Sequence, residues 1–430
     1  MAEVIGTFPG YEFKKMEDGK YHNMFRGTDL GFGGYVYSEP GIYGNVALLD
    51  AASLHPTSIV LLNKLGDYTK RYADLRAARV FIKHEDFEKA GELFDGKFKK
   101  YLESKDEADA LSKALKLPLN AFFGISFAGF ENPARDSRDK NNIIALRGAL
   151  FMKTLQDEIV KRGFRVIHVK TDSVKVANAT PEIIQFVKEF GEKYGYEMEH
   201  ECTYDRICLV NDAAYIARYD DKGIRNKGGK HPNEWTATAK QFQVPYVFKT
   251  LFSKEPITFE DMCEVMSVKT ALYLKSEDGE PEFIGRVGQF TPIKPGCGGK
   301  ELLRIGKDPE GNDKFSAATG TKGYQWLESE VVRQLGKEGD VDRSYYESQV
   351  QKAIETINKF GDFEMFVDVD TPIPNPEPPT TEPTEQDFSN TTPCHHPEHK
   401  TCWECEHFTW SEPYEPDCKK NFDVSGVLPF

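Results

Sequence analysis

A chain of 430 residues has room for two to four domains and a substantial buried core. Its 39% hydrophobic, 12% aromatic and 29% charged residues form a globular mixture, and no apolar run is long enough to cross a bilayer as a helix, so no membrane partner is expected. The net charge of −14 excludes a uniformly cationic nucleic-acid binder, but from residue 371 onward 11 acidic residues face 3 lysines, a net of −8, so a basic groove can coexist with an acidic exterior.

The opening stretch, MAEVIGTFPGYEFKKMED, lacks the basic start and apolar run of a secretion signal, and a cytoplasmic protein is expected. GFGGYVYSEPGIYGN is a glycine-rich approach to a strand. In VALLDAASLHP, Val46 to Leu49 have strand character and Pro56 ends the run. Residues 62 to 115 are highly charged, free of proline and rich in Ala, Leu, Lys and Glu; they predict two helices turning near 102–107, an arm inserted after a strand. DKNNIIALRGALFMKTLQDEIVKRG is amphipathic, with Ile143, Leu146, Leu150, Leu155 and Ile159 near helical spacing and Gly163 as its stop. RVIHVKTDSVKV, 165 to 176, alternates on both sides of a bend at Lys170 to Ser173 and predicts a hairpin. Thr180 and Pro181 cap and start another helix, ending at Gly195, and TYDRICLVNDAAYIARY reads as a second hairpin. This order predicts an α+β sheet layer with helices behind it. Residues 251 to 370 read as mixed and largely helical. PIPNPEPPTTEPTEQDFSNTT is a stiff Pro- and acid-rich linker.

Eight cysteines divide into two kinds. Cys202, Cys208, Cys263 and Cys297 are scattered and read as reduced, packed thiols. Cys394, Cys402, Cys405 and Cys418 crowd the tail with His395, His396, His399 and His407, which favours metal over disulfides in a chain without a secretion signal.

Asp50 ends one apolar strand and Asp172 lies at a hairpin bend. Adjacent antiparallel strands would bring both side chains to one sheet edge, the arrangement that bridges two Mg²⁺ ions about 3.5–4 Å apart for in-line phosphoryl displacement. Mg²⁺ takes few protein carboxylates and completes its shell with water and phosphates, so two aspartates and a backbone carbonyl suffice. Alone, each Asp is an ordinary turn or strand-end residue. In KLPLNAFFG, Lys116 and Asn120 share a helix face, suited to phosphate and nucleotide contacts; Arg79 and Lys83 upstream are likewise four apart. Most such basic pairs are simply solvated helix faces.

Taken together, these residues resemble a family. DAASLHPTS is similar to the first polymerase motif of family B DNA polymerases, D-x-x-S-L-Y-P. KLPLNAFFG resembles the second, K-x-x-x-N-x-x-Y-G, and KTDS the third, D-T-D-S. They stand in that family's order, and GGYV at 33–36 matches the glycine–tyrosine element before the first motif. WTATAKQFQVPYVFKTLF and QFTPIKPGCGG resemble bacteriophage members, and the likeness covers roughly residues 20 to 370.

The resemblance implies a template-directed polymerase that adds dNTPs to the primer 3′-hydroxyl of primer–template DNA in phage replication. Asp50 and Asp172 would carry two Mg²⁺, with the Ala51 carbonyl as a further ligand. Backbone N–H groups around Ser53 and Leu54 would cradle the triphosphate. Arg79, Lys83 and Lys116 would close on it, Asn120 would position it, and His55 and Phe123 would complete the nucleotide site. A right-hand fold follows: residues 1–61 as N-terminal segment and first part of the palm, 62–124 as helical fingers, 125–250 as palm, 251–370 as helical thumb, 371–393 as linker, and 394–430 as a zinc module.

Several positions depart from the pattern. His55 replaces the tyrosine that blocks a ribose 2′-hydroxyl, Phe123 replaces a tyrosine, and Lys170 replaces the first aspartate of the third motif. VNDAAYIARY sits where the family often has a lysine-rich primer–template element; Tyr215 remains, with Arg218, Arg225, Lys227 and Lys230 as substitutes. Only 49 residues precede Asp50, so an editing exonuclease is expected to be a separate partner, or the chain to be half of a split polymerase.

In the tail, Cys394, Cys402, Cys405 and Cys418 offer Zn²⁺ a tetrahedral set, with His399 or His407 as substitutes; an iron–sulfur cluster or incidental thiols are the other readings. The terminal GVLPF could dock on a sliding clamp. Two further readings remain open: a catalytically silent DNA-binding scaffold, and a ribonucleotide-tolerant polymerase.

Overall fold

The apolar run at Val46–Leu49 is the middle of an 11-residue strand at the centre of a seven-stranded sheet. The computed structural model describes residues 2–132, 134–135, 139–222, 232–277, 279–377, 408–411 and 415–418. Helix α1 (Ala2–Thr7) and a small meander, β1 (Tyr11–Lys15), β2 (Tyr21–Phe25) and β3 (Thr28–Asp29), come first. β4 (Val36–Ser38) and β5 (Gly41–Ala51) lead into α2 (Leu54–Leu61) and then the arm: α3 (Thr69–Lys83), α4 (Phe87–Glu92) and α5 (Lys105–Ser126). α6 (Ile143–Lys161), β6 (Arg165–Lys170), β7 (Ser173–Ala177), α7 (Pro181–Lys193), β8 (Met198–Leu209), β9 (Tyr215–Tyr219) and β10 (Trp235–Ala237) follow. The sheet order is β10-β9-β8-β5-β7-β6-β4, antiparallel at every pairing.

Period-two alternation gives this sheet two different faces. Ala47, Leu49 and Ala51 of β5 and Val174 and Val176 of β7 pack with α6, a helix buried nearly all round. Val46, Leu48, Ile167, Cys202 and Tyr204 line the opposite face.

The arm is more broken than two helices. Phe94 and Asp95 both adopt left-handed backbone, φ 53 and 56, and interrupt the chain between α4 and α5. Asp86 and Ser104 cap α4 and α5 through the Lys89 and Glu107 N–H groups. α5 runs through Pro118, which places Lys116 and Asn120 in mid-helix. An interior proline costs about 3 kcal/mol; burial of Leu115 and Leu119 against the neighbouring cores opposes it.

After α8 (Lys240–Gln243) and α9 (Pro245–Phe248) the expectation of a largely helical region fails. β11 (Glu264–Lys275), β12 (Glu282–Ile293), β13 (Glu301–Lys307), β14 (Asp313–Ala317) and β15 (Gln325–Glu328) form a second antiparallel sheet, order β14-β13-β11-β12-β15. Helices α10 (Ser329–Gln334), α11 (Arg343–Asn358) and α12 (Phe363–Val367) follow it. The strand signal is hidden because β11 slips register against β12 between Ser267 and Leu272, which breaks the alternation in EVMSVKTALYLK.

The expected linker starts as a docked segment. Asn375 donates to the Gly44 carbonyl at 2.6 Å and accepts from its N–H at 2.9 Å, while the Arg206 guanidinium bonds the Phe366, Asp368, Val369 and Thr371 carbonyls. β16 (Phe408–Ser411) and β17 (Glu415–Cys418) pair as a short ribbon. Cys394, Cys402 and Cys405 lie outside the described residues, as do GVLPF, Arg225, Lys227 and Lys230, and only the backbone of Cys418 is described. Among the described residues, no helix is long and apolar enough to cross a membrane.

Candidate active site

β5 and β7 are neighbours, and their register sets Asp50 opposite Ser173, one residue from Asp172. The Ala51 N–H donates to the Asp172 carbonyl at 2.7 Å, tying the two strand ends together. At the hairpin tip Thr171 takes left-handed backbone, φ 57, and its N–H donates to the Tyr35 carbonyl at 2.9 Å. A Cβ on Gly34 would meet the Thr171 side chain at 2.5–2.7 Å. The second glycine of GGYV is therefore required for close approach of that loop to the hairpin carrying Asp172.

The carboxylates border a cleft of ≈ 460 Å³. Around it β5 and its turn contribute Asp50, Ala51, Ser53, Leu54 and His55; α3 contributes Arg79 and Lys83; α5 contributes Lys116, Asn120 and Phe123; the hairpin contributes Asp172. The structure thus gathers every residue expected for the nucleotide and Mg²⁺ site into one place. Ser53 caps α2 in left-handed backbone, φ 62, and its Oγ accepts from Arg79 Nη1 at 3.1 Å. The first turn of α2 leaves backbone N–H groups free for an anion. His55 stacks on Phe123, ring centroids 4.1 Å apart and 13° from parallel, and its Nδ1 is buried without a hydrogen-bond partner among the described residues. Burial keeps that imidazole neutral by lowering its pKa.

Burial, together with the charges of Asp172 and Glu201, pushes the Asp50 carboxyl up to about 8, and Lys83 partly opposes the shift. Burial and Glu201 also raise Asp172, opposed by Lys116. Two crowded carboxyls of this kind are short of positive charge, and their hard oxygen donors suit a divalent cation such as Mg²⁺.

Sequence reasoning missed the acids of β8. Glu199 lies opposite Asp50, and Glu201 is the extra residue where the pairing shifts between Leu48–Cys202 and Leu49–His200. The spacing of Glu197, Glu199 and Glu201 in EMEHE, period two at a strand start, was the available signal. Lys175 was also missed: it is 3% exposed, donates to His168 Nδ1 at 2.9 Å and lies 4.8 Å from the centroid of the Tyr215 ring. Arg218, a candidate for DNA contacts, is instead engaged by Asp205 and by Asn233 at 2.8 Å.

Fold and cleft define a mixed α+β protein whose main sheet presents two carboxylates to a cation-lined cleft. Comparison with known proteins adds the class of relative. No family model matches the chain. It is 26% identical over 275 residues to DNA polymerase II of Escherichia coli (strain K12), covering 52% of this chain and 33% of that protein. To DNA polymerase 2 of Aeropyrum pernix it is 24% identical over 229 residues, covering 48% and 28%. The matches span a third or less of each relative's length. The family B DNA polymerase from Pyrobaculum calidifontis aligns with TM-score 0.42 and 12% identity over 80% of this chain and 48% of that one. The two sequence matches make the chain a distant homologue of DNA polymerases, the class its three motifs resemble.

Proposed function

We propose that the chain is a template-directed DNA polymerase that joins dNTPs to a primer 3′-hydroxyl by metal-assisted nucleotidyl transfer. The observation that carries this reading is the meeting of Asp50 and Asp172, from neighbouring strands, in a cleft lined by Arg79, Lys83 and Lys116. Asp50, Asp172 and the Ala51 carbonyl would hold two Mg²⁺. When bound, these ions lower the pKa of the attacking hydroxyl and stabilise charge on the departing pyrophosphate.

The chain's own groups do the rest. Arg79, Lys83 and Lys116 neutralise the triphosphate, and the N–H groups at the start of α2 cradle it. Asn120 orients it by a hydrogen bond, and the stacked His55 and Phe123 give the nucleoside a flat wall. Rotation of α3 and α5 toward the sheet excludes water as the nucleotide seats. On this reading the first sheet is the palm, α3 to α5 are the fingers, and residues 251–370 are a thumb built on strands.

Primer extension with Mg²⁺ and dNTPs tests the reading. Template-directed extension by the intact chain, lost in Asp172→Ala, is the expected result. A folded chain that binds DNA and extends nothing sinks it and leaves the silent scaffold. His55 motivates a second reading, ribonucleotide tolerance, because imidazole is smaller than a phenol; strict use of dNTPs over rNTPs refutes it.

A further inference from the structure

The cations of α3 face acids of the sheet that the reaction above does not use. Glu199 of β8 lies across from Asp50, and Glu197 immediately precedes that strand, where the Ala52 N–H donates to its carbonyl at 2.8 Å. His84, the residue that ends α3, places Nε2 3.0 Å from Glu199 Oε1. One ligand atom each from His84, Glu197 and Glu199 lies within 4.8 Å of the others. Upstream, Arg76, Arg79 and Lys83 recur at helical spacing on one face of α3. The charge of Glu197 acts on Arg76 and that of Glu199 on Arg79, and in both guanidinium groups Nε is buried without a hydrogen-bond partner among the described residues.

These groups are mutually explained. A helix bringing three cations and a histidine to a cleft needs counter-charge before any phosphate arrives. Glu199 is placed to supply it: its strand neighbour is Asp50, and its Oε1 lies 3.0 Å from His84 Nε2 at the end of the arm. A part-exposed polar contact is weak enough to be exchanged for charge-assisted bonds to phosphate, which are stronger.

We propose that Glu199, supported by Glu197, is a positioning residue that stands in for the nucleotide's phosphates, holding α3 on the sheet through His84 and Arg79 until a triphosphate displaces it. This rests on the nucleotidyl-transfer reading, and its test separates the two. Amide hydrogen exchange across residues 69–84 of the full chain, with primer–template DNA present, is followed while dATP is added, and steady-state extension is run in parallel. In Glu199→Gln, exchange in α3 rises before nucleotide is added. Half-saturating dATP falls roughly three- to fivefold, the strength of a part-exposed polar contact, and KM falls with it while kcat does not rise. His84→Gln, which keeps a donor for Glu199, retains more α3 protection than His84→Ala.

Unchanged α3 exchange in Glu199→Gln overturns the proposal, as does a KM that rises while kcat falls. A raised Mg²⁺ requirement with unchanged α3 exchange would make Glu199 a metal ligand and overturn it too. If the wild type extends no primer while Glu199→Gln still raises α3 exchange and lowers half-saturating dATP, the reaction is refuted and the stand-in role stands. If it extends normally and Glu199→Gln shifts neither readout, the stand-in role is refuted and the reaction stands.

Discussion

The two antiparallel sheets use their second faces differently. In the seven-stranded sheet, the face away from α6 gathers charge: Asp50 and Asp172 at the cleft, with Lys175 and His168 behind them. In the five-stranded sheet, Tyr273, Phe283 and Phe315 meet edge-on across β12, β11 and β14, ring centroids 5.6 and 5.0 Å apart, with Phe283 65% exposed. Its buried polar residues include a neutral hydroxyl pair, Thr291 and Ser329 at 2.9 Å. A buried charge is costly without a fixed partner. The first sheet supplies partners: Lys175 has His168, His168 has the Asp212 carbonyl at 3.1 Å, and Arg206 has four carbonyls. Asp50 and Asp172 depart from that rule, since the charges that raise them are other acids. Such a departure marks the place where a ligand completes the structure.

The sharpest way to break this contrast is Asp50→Asn. On the nucleotidyl-transfer reading, extension should fall by about a thousandfold or more, since several kcal/mol of transition-state stabilisation would pass through this carboxylate. The metal-free protein should nevertheless become more stable. With its carboxyl raised to about 8 from its ordinary value of 3.8, Asp50 holds a proton in the fold that the unfolded chain has already lost. Its contribution to stability therefore declines as pH rises from about 4 to 8, and asparagine removes that decline. Urea melts in EDTA at pH 4 and pH 8 should show a gain that grows with pH; a loss at pH 8 would contradict the assigned electrostatics. Trp326→Ala in the second sheet should do the reverse. Its ring is fully buried, so truncation should cost about 3–5 kcal/mol in urea unfolding. At a temperature where the variant stays folded, its chemical step should match wild type in single-turnover extension.

The same contrast explains what was legible in the sequence. The cleft was, because Asp50, Lys116 and Asp172 each lie in a short motif whose residues serve one strand end, one helix face or one hairpin tip. The hairpin at 165–177 and the Thr180 cap followed from local rules of alternation and capping. Sheet neighbours were not, since long-range pairing leaves no local signal. Glu199 became relevant only when β8 paired with β5. The second sheet was missed for a third reason: its longest strands are bulged, so neither period two nor period 3.6 dominates their sequence.

A smaller effect comes from Lys175, the buried cation nearest the contrast. Burial lowers its pKa to about 8 from its ordinary value of 10.5. Between pH 8 and 10.5 the unfolded chain binds a proton that the folded chain has released, so this group adds stability as pH rises across that window. Lys175→Met lacks the term. The stability of wild type relative to the variant should improve by about 1–2 kcal/mol from pH 7.5 to pH 9.5 in paired urea melts; a pH-independent difference would mean Lys175 is no more perturbed than a surface lysine.

The smallest expected effect tests the other face. Phe283 touches Tyr273 edge-on but remains mostly in water, so its burial contributes little and the ring contact is discounted by solvent. Phe283→Ser should change stability by no more than about 0.5 kcal/mol, as for an exposed substitution. The result matters because these aromatic rings stay on the surface of the five-stranded sheet. If the substitution instead cost more than about 1.5 kcal/mol, the rings would be buried in solution against another surface. The two sheets would then differ in what covers them, and not in whether they are covered.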